Sequence, residues 1–198
     1  MIDTLETQED VRAYLIKMYV EMIAHRHIVD SRSLPIVLSP QHKGVIGTKE
    51  LNTVLQEIVH HEVLGAVKFD TTRAGRIMLG DRVIQTKNNY DIRIMNGNTG
   101  TVIEKVADGL QVQFDDEPTS TFVPNDSAGD LQLAYVLTVH KAQGSEFENV
   151  IFLIHKGHSF MHDRSLIYTG ATRASKNLYI LGDAWSQRTA AKTVKSTV

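Results

Sequence analysis

Apolar side chains near the start of the chain recur every three or four positions, the spacing of one face of a helix. They are Val11, Tyr14, Leu15, Met18, Tyr19, Met22 and Ile23. Thr7 precedes this stripe and Asp10 follows Thr7 by three residues, a pair that resembles a capping box. The pattern predicts a helix that begins near Thr7 and buries its apolar stripe.

Further along, short and continuous apolar runs alternate with helical patterns. The run from Leu34 to Leu38 leads through a polar loop to a second helical pattern that begins at Thr48. Strand, loop and helix in this order form the repeating unit of an α/β sheet, and the order returns after Asp130. The later strands are predicted at 133–139, 150–154 and 178–181, and the later helices at 165–174 and 184–191.

The period changes between about residues 80 and 129. Residues 82–86 predict a strand, and Asn96-Gly97 and Asp108-Gly109 are dipeptides typical of hairpin turns. Apolar residues and glutamines alternate from 110 to 114, so this strand has one face in water. We therefore expect a small antiparallel barrel or meander, inserted into the α/β layer.

Composition narrows the class of protein. The 198 residues contain 21 Lys and Arg against 23 Asp and Glu, a formal charge of −2, so nucleic-acid binding would need a local basic patch. The chain has no cysteine, which excludes disulfides, thiolate metal sites and cysteine nucleophiles. No apolar run approaches the roughly 20 residues that cross a bilayer, and the acidic start is unlike a secretory signal. These features predict a soluble protein of the cytoplasm, without a membrane partner.

Three patterns resemble catalytic or metal sites but have simpler explanations. Residues 44–49 read Gly-Val-Ile-Gly-Thr-Lys, which reverses the Lys-Ser/Thr order of a phosphate-binding Walker A loop. Residues 115–117 (Asp-Asp-Glu) follow a strand as in Walker B, but that strand alternates with glutamines, which favours a hairpin turn of solvated carboxylates. His155, His158 and His162 have no cysteine or carboxylate in a recognised ligand spacing, so we expect no metal site.

Two later segments carry side chains that suit nucleotide and nucleic-acid chemistry. The strand from Leu133 leads into a polar run at the expected carboxyl edge of a parallel sheet, where open α/β sheets bind ligands. This run contains Thr138, His140, Lys141, Gln143, Gly144, Ser145 and Glu146. The second segment ends a predicted helix with Arg173, whose guanidinium could contact a phosphate in a transition state. A surface arginine on an ordinary helix is the alternative.

Together these segments resemble those of a known family. TVHKAQGSEF resembles motif V, and YTGATRA motif VI, of superfamily 1 DNA helicases. More narrowly, three blocks are similar to the C-terminal motor domain of RecD/TraA-type helicases, the group of exodeoxyribonuclease V alpha subunits: LSPQHKGVIGTKELN, GDRVIQTKNNYDIRIMNGNTG and LAYVLTVHKAQGSEF. The likeness extends from about Leu34 to Gly182, with matching order and spacing.

The resemblance implies a fold and a division into domains. Residues 1–91 and 132–198 would form the second of two RecA-like domains, with a parallel sheet of the P-loop NTPase type that lacks the P-loop itself. Residues 92–131 would form an inserted small antiparallel β-barrel of the Src-homology type. The first helix would either link to a preceding domain or pack on the sheet.

The resemblance also implies site residues. Arg173 would be the catalytic residue, which contacts the γ-phosphate and stabilises charge as the phosphoryl group leaves. The ATP-binding residues would be Gln143, Gly144, Glu146, Arg173 and Lys43. The DNA-binding residues would be Thr138, His140, Lys141, Asn88 and Tyr90, with Asn88 and Tyr90 either facing DNA or holding the junction with the barrel.

The function implied is that of the C-terminal half of an ATP-dependent helicase that moves 5′ to 3′ on single-stranded DNA. ATP and Mg²⁺ would be held mostly by an N-terminal RecA-like domain that carries the Walker A and B residues. We therefore expect this chain alone to have no ATPase or unwinding activity. Its other partners would be single-stranded DNA and recombination or repair proteins.

Two other classes of function remain open. A stand-alone module derived from a helicase could bind nucleic acid or protein through the barrel. Gln143, Glu146 and Arg173 favour the helicase, because a pure binding module has no use for a γ-phosphate sensor. A nuclease is disfavoured, since the sequence has no clustered carboxylate pattern for two metal ions.

Overall fold

The computed structural model describes residues 5–26, 33–65, 75–157 and 164–195. The chain divides into two compact units. The first unit comprises residues 1–22, 35–51 and 136–198, and the second comprises residues 23–34 and 52–135. The predicted insert at 92–131 lies wholly within the second unit, and its status as a separate domain stays a prediction.

The first unit contains a four-stranded sheet in which every neighbouring pair is parallel. Its strands, in spatial order, are β7 (Val136–Thr138), β1 (Ile36–Ser39), β8 (Phe147–Leu153) and β9 (Ala174–Leu181). All four residues of β1 are buried, as expected of a central strand covered on both faces. The α/β class and the parallel sheet are thereby confirmed.

Within the described residues, four α-helices accompany the strands: α1 (Gln8–Arg26), α2 (Thr48–Glu62), α3 (Arg164–Ala171) and α4 (Ala184–Lys195). At the start of α1, the backbone N–H of Thr7 donates to Asp10 Oδ2 (3.0 Å) and the backbone N–H of Asp10 donates to Thr7 Oγ1 (3.1 Å). These reciprocal bonds are the predicted capping box. The hydrogen bonds from Thr7 lower the pKa of Asp10.

Asp183 begins α4 in a similar way. Its carboxylate accepts hydrogen bonds from the backbone N–H and hydroxyl of Ser186 (3.0 and 2.8 Å) and from the backbone N–H of Lys156 (2.6 Å). Burial raises the pKa of Asp183, but these bonds and the nearby His155 outweigh burial and hold the pKa below its ordinary value. One carboxylate thus caps α4 and fastens the chain that follows β8.

The second unit contains a five-stranded antiparallel sheet. Its strands, in spatial order, are β5 (Thr121–Pro124), β4 (Gly109–Phe114), β3 (Thr99–Val106), β2 (Arg82–Gln85) and β6 (Leu131–Leu133), the last preceded by a 3-10 helix at Ala128–Asp130. Val83, Val102, Val112, Phe114 and Val123 form much of its buried cluster. The predicted turn at Asn96-Gly97 lies just before β3, and the one at Asp108-Gly109 lies where β3 leads into β4.

The expected closed barrel is not found. Among the described residues, the outer strands β5 and β6 lie at opposite ends of the sheet order and do not pair with each other. These strands have four and three residues, and the pairing between the two outer strands that would close a ring of hydrogen bonds does not form among the described residues. The insert is therefore an open meander, the second of the two forms that its turns allow.

Two buried polar groups stabilise the second unit. Asp81, which is fully buried, accepts hydrogen bonds from Gln56, His60, Tyr135 and the backbone N–H of Met78, at 2.6 to 2.8 Å. The second group is buried Arg82, whose guanidinium donates to both oxygens of Asp115, at 2.7 and 2.5 Å. Asp115 is itself exposed, as are the residues at 116 and 117, in agreement with the expected turn of solvated carboxylates.

Candidate functional site

The segment after β7 folds into a compact turn whose exposed side chains include His140 and Lys141. The backbone N–H of Lys141 donates to Thr138 Oγ1 (3.2 Å), and that of Ala142 donates to the Thr138 carbonyl (3.0 Å). Thr138 therefore caps the turn with its hydroxyl. Desolvation by burial lowers the pKa of Lys141, although the residue is exposed overall.

The two ends of this segment lie at opposite edges of the parallel sheet. Thr138 pairs with Ser39, the last residue of β1. Val150 pairs with Ile36, the first residue of β1, and Phe147 lies three residues before Val150. At roughly 3.3 Å per residue, Thr138 and Phe147 are therefore about 20 Å apart along the strand direction. This corrects the expectation that the whole polar run sits at the carboxyl edge, because residues next to Phe147 lie at the amino edge.

Arg173 joins the two motif segments at that amino edge. Its Nη1 donates to the Ser145 carbonyl (2.9 Å), and its Nε donates to the Thr169 carbonyl (3.0 Å). The backbone adds a second connection, since the N–H of Phe147 donates to the Arg173 carbonyl (2.8 Å). The segments that the sequence paired by motif thus meet in space.

The guanidinium of Arg173 is held but not saturated. Nη2 contacts Thr172 Oγ1 (3.2 Å), so these contacts within the described residues use three of the five N–H donors of the group. Arg173 as a whole is half-buried. An arginine fixed by two carbonyls, with donors left over, suits a phosphate oxygen.

Gly144 precedes Ser145 in an open position. Its φ of +90° is one that favours glycine, and no atom lies within 4 Å of where a Cβ would stand. Gln143 and Glu146, on either side of this pair, are exposed. The amino edge therefore offers a guanidinium, accessible backbone and a carboxylate within one short stretch.

Lys43 lies elsewhere, in the loop that follows the carboxyl end of β1. Ser39 Oγ donates to the Ile46 carbonyl (2.7 Å) across this loop, and a Cβ on Gly47 would lie 2.5 Å from the carbonyl carbon of Lys43. Lys43 is exposed on this tightly closed loop. Because β1 and β7 are parallel neighbours, Lys43 shares an edge with Thr138 and not with Arg173.

Sequence reasoning missed the contribution of Gly170, in the last turn of α3. A Cβ at this position would lie 2.8 Å from two ring atoms of Phe152, which is fully buried in β8. Gly170 therefore sets how closely the helix that precedes Arg173 approaches the sheet. A glycine inside a helical pattern was the available signal.

The other two predicted DNA-binding residues, Asn88 and Tyr90, belong to the second unit. Asn88 Nδ2 donates to the hydroxyl of Tyr90 (3.2 Å), and Asn88 Oδ1 accepts from the backbone N–H of Asn96 (2.9 Å). The ring of Tyr90 projects into solvent, with the residue 74% exposed. Both residues lie on the loop between β2 and β3.

Neither metal-ligand clusters nor membrane spans occur in the part of the chain that the structure describes. No three histidine, aspartate or glutamate side chains group together there, and no helix there is long and apolar enough to cross a membrane. His155 contacts the Glu6 carbonyl through Nε2 (2.9 Å) and accepts from the backbone N–H of Gly157 through Nδ1 (3.0 Å). His158 and His162 lie outside the described residues.

Comparisons with known proteins agree with the motifs. Residues 133–181 match the family described as UvrD-like helicase C-terminal domain. The ATP-dependent RecD2 DNA helicase of Deinococcus radiodurans is 37% identical over 155 residues, which cover 78% of this chain and 21% of that protein. The RecBCD enzyme subunit RecD of Buchnera aphidicola is 28% identical over 159 residues, 80% of this chain and 26% of that protein. The chain thus spans about a fifth to a quarter of the length of these relatives.

A solved structure shares the fold. The Pif1 helicase of Candida albicans aligns with a TM-score of 0.51 at 13% identity, over 93% of this chain and 58% of that one. The family match and the RecD relatives confirm the resemblance: the chain is a relative of the C-terminal domain of RecD-type superfamily 1 helicases.

Proposed function

We propose that this chain is the second RecA-like half of an ATP-dependent 5′-to-3′ DNA helicase. One observation carries the proposal: the 2.9 Å hydrogen bond from Arg173 to the Ser145 carbonyl, which brings the motif VI arginine to the motif V segment. A P-loop domain, whose motif these 198 residues do not contain, would bind most of ATP and its Mg²⁺. The expected partners are that domain, single-stranded DNA and recombination or repair proteins, and the expected location is the cytoplasm.

Arg173 would act on the γ-phosphate. Charge builds up on the phosphoryl oxygens in the transition state, and a fixed guanidinium stabilises it without having to reorganise. The carbonyls of Ser145 and Thr169 hold two of its nitrogens, which orients the other N–H donors. Gln143, Gly144 and Glu146 would contact the sugar and phosphates along the accessible stretch beside Ser145.

The DNA backbone would bind at the opposite edge. Thr138, His140 and Lys141 lie there, and Lys43 shares that edge, so Lys43 is better grouped with DNA phosphates than with ATP. Lysine contributes a point charge, which suits backbone contacts that carry no base specificity. Residues 138–147 would connect the nucleotide end to the DNA end through one covalent segment about 20 Å long.

The test is DNA-stimulated ATPase activity of the longest in-frame version of this protein. Arg173→Ala should lower turnover by about 10³-fold or more while single-strand binding survives. Arg188→Ala, which removes an exposed arginine from α4, is the matched control and should leave turnover unchanged. The 198-residue chain alone should show no turnover, and wild-type activity in Arg173→Ala would refute the proposal.

A stand-alone binding module is the second candidate. The observation that favours it is that Arg173 already makes three hydrogen bonds within its own chain, so the arginine could be purely structural. In that case Arg173→Ala would lower the melting temperature without a matching loss of turnover at temperatures where the variant is folded.

A further inference from the structure

The loop between β2 and β3, residues 86–98, carries an aromatic side chain that the fold of its own unit does not use. Tyr90 is 74% exposed, the highest value among the exposed large apolar residues of the described chain. A tyrosine loses stability by standing in water, since its ring could bury apolar area elsewhere. Such a residue commonly serves a binding surface.

The loop is rigid by its hydrogen bonds. Asn89 and Ile94 exchange two backbone bonds of 2.8 and 3.0 Å, and Ile94 is buried in the unit. Asn89 Oδ1 accepts from the backbone N–H groups of Asp91 and Ile92 (3.2 and 3.4 Å), which closes the turn that contains Tyr90. The backbone under the ring is therefore fixed.

The ring itself is held at its hydroxyl end. Asn88 Nδ2 donates to the Tyr90 hydroxyl at 3.2 Å, and Asn88 is in turn fixed by the backbone N–H of Asn96. A ring oriented before binding loses less rotamer entropy when a flat ligand stacks on it. Asn88 is thus a positioning residue for Tyr90.

The loop at residues 86–98 is less acidic than the residues that follow it at 99–131. Residues 99–131 contain one lysine and seven carboxylates, an environment that repels phosphate: Lys105 against Glu104, Asp108, Asp115, Asp116, Glu117, Asp126 and Asp130. Loop residues 86–98 contain Lys87 and Arg93 against Asp91. Lys87 is paired with Asp130 (2.6 Å), and Arg93, three positions from Tyr90, is exposed. A polyanion would therefore meet less repulsion at the loop than beside the strands of residues 99–131.

We propose that Tyr90 is a stacking platform for one unpaired base of single-stranded DNA, with Asn88 orienting the ring and Arg93 contacting an adjacent phosphate. The inference rests on the proposed DNA-binding function and adds the chemical class that this loop takes. Every base presents a π face, so stacking selects unpaired bases over duplex and tolerates any sequence. The contact differs in kind from the backbone contacts proposed for Thr138 and His140.

The experiment measures binding of the full chain to a labelled thymidine strand of about 12 nucleotides by fluorescence anisotropy. A strand of the same length with abasic sugars keeps the phosphates and removes the bases. Tyr90→Ala should weaken binding to the thymidine strand about 10-fold and leave binding to the abasic strand unchanged. Tyr90→Phe keeps the ring but removes the hydroxyl that Asn88 holds. Tyr90→Phe and Asn88→Ala should therefore each weaken binding to the thymidine strand by about 3-fold, less than Tyr90→Ala.

Phe122→Ala is the matched control, because Phe122 is a second exposed aromatic residue of this unit but lies within the acidic strands. It should bind both strands like the wild type. If Tyr90→Ala binds the thymidine strand as tightly as the wild type, or loses affinity equally for the abasic strand, stacking is refuted. In that case, weaker binding of both strands by His140→Ala would still support the DNA-backbone contacts proposed for His140. A wild-type chain that binds neither strand would refute both proposals.

Discussion

Replacing Gly170 with alanine tests how tightly the helix before Arg173 must approach the sheet. The added methyl would lie 2.8 Å from two atoms of the Phe152 ring and 3.3 Å from a third, and Phe152 is fully buried and cannot swing away. Overpacking of this kind costs about 1 to 3 kcal/mol, whereas alanine in place of glycine favours a helix by about 1 kcal/mol. The difference is a loss of up to about 2 kcal/mol, with about 1 kcal/mol at the middle of the overpacking range. A loss of about 1 kcal/mol lowers the melting temperature by about 2 to 4 °C in a chain of this size.

The single tryptophan, Trp185, makes the measurement specific, since it lies in α4 of the same unit as Gly170. Thermal unfolding followed by its fluorescence should show the loss. Gly129→Ala is the control: a Cβ there meets nothing within 4 Å, so stability by circular dichroism should be unchanged or slightly higher.

A double-mutant cycle with Phe152→Leu completes the test of Gly170. Removing the ring edge frees the space that the new methyl needs, so the penalty of Gly170→Ala should largely disappear in the Phe152→Leu background. A Gly170→Ala protein that melts at or above the wild-type temperature would refute the reasoning. The reasoning would also be refuted if the destabilisations of Gly170→Ala and Phe152→Leu simply added in the double variant, because the contact between the methyl group and the ring would then not cause the penalty.

Two further predictions concern carboxylates. Asp115→Ala removes the partner of Arg82, whose side chain is only 4% exposed, and should lower the free energy of unfolding by about 2 kcal/mol. The loss is smaller than for a fully buried pair, because the side chain of Asp115 is 32% exposed. Asp116→Ala, at the exposed neighbouring position, should change it by less than about 0.5 kcal/mol in the same urea titration. For Asp183 the pKa is lower in the folded state than the ordinary 3.8, so its carboxylate stabilises the fold above about pH 4 and that contribution is lost as pH falls through the folded value. The urea midpoint should therefore fall more steeply on acidification in the wild type than in Asp183→Asn, and equal slopes would contradict the assignment.

Local patterns predicted the elements well. The Thr7 and Asp10 pair marks where α1 begins, and the apolar run at Leu34–Leu38 marks β1 to within two residues at its start. Such signals depend on neighbours in the sequence, which the chain displays directly. The motif V and VI segments were likewise found by residue type and spacing.

What the sequence could not supply was pairing over long separations. Arg82 and Asp115 are 33 residues apart, and Arg173 and Ser145 are 28 apart, so neither contact leaves a periodic trace. Strand register cannot be read from the sequence either. Only the register shows that Thr138 and Phe147 lie at opposite ends of the strands of the parallel sheet. Turn residues likewise predicted the strands of the meander but not whether its outer strands would meet.

The open meander leaves strand edges that could recruit other chains and cause aggregation, because an unpaired edge presents free backbone N–H and C=O groups. The sequence limits this hazard at β5, which has four residues and ends at Pro124, a residue without an N–H to donate. Carboxylates at 115–117, in the turn that leads into β5, add electrostatic repulsion between copies of the edge. A sheet of this kind can stay open at high protein concentration without assembling edge to edge.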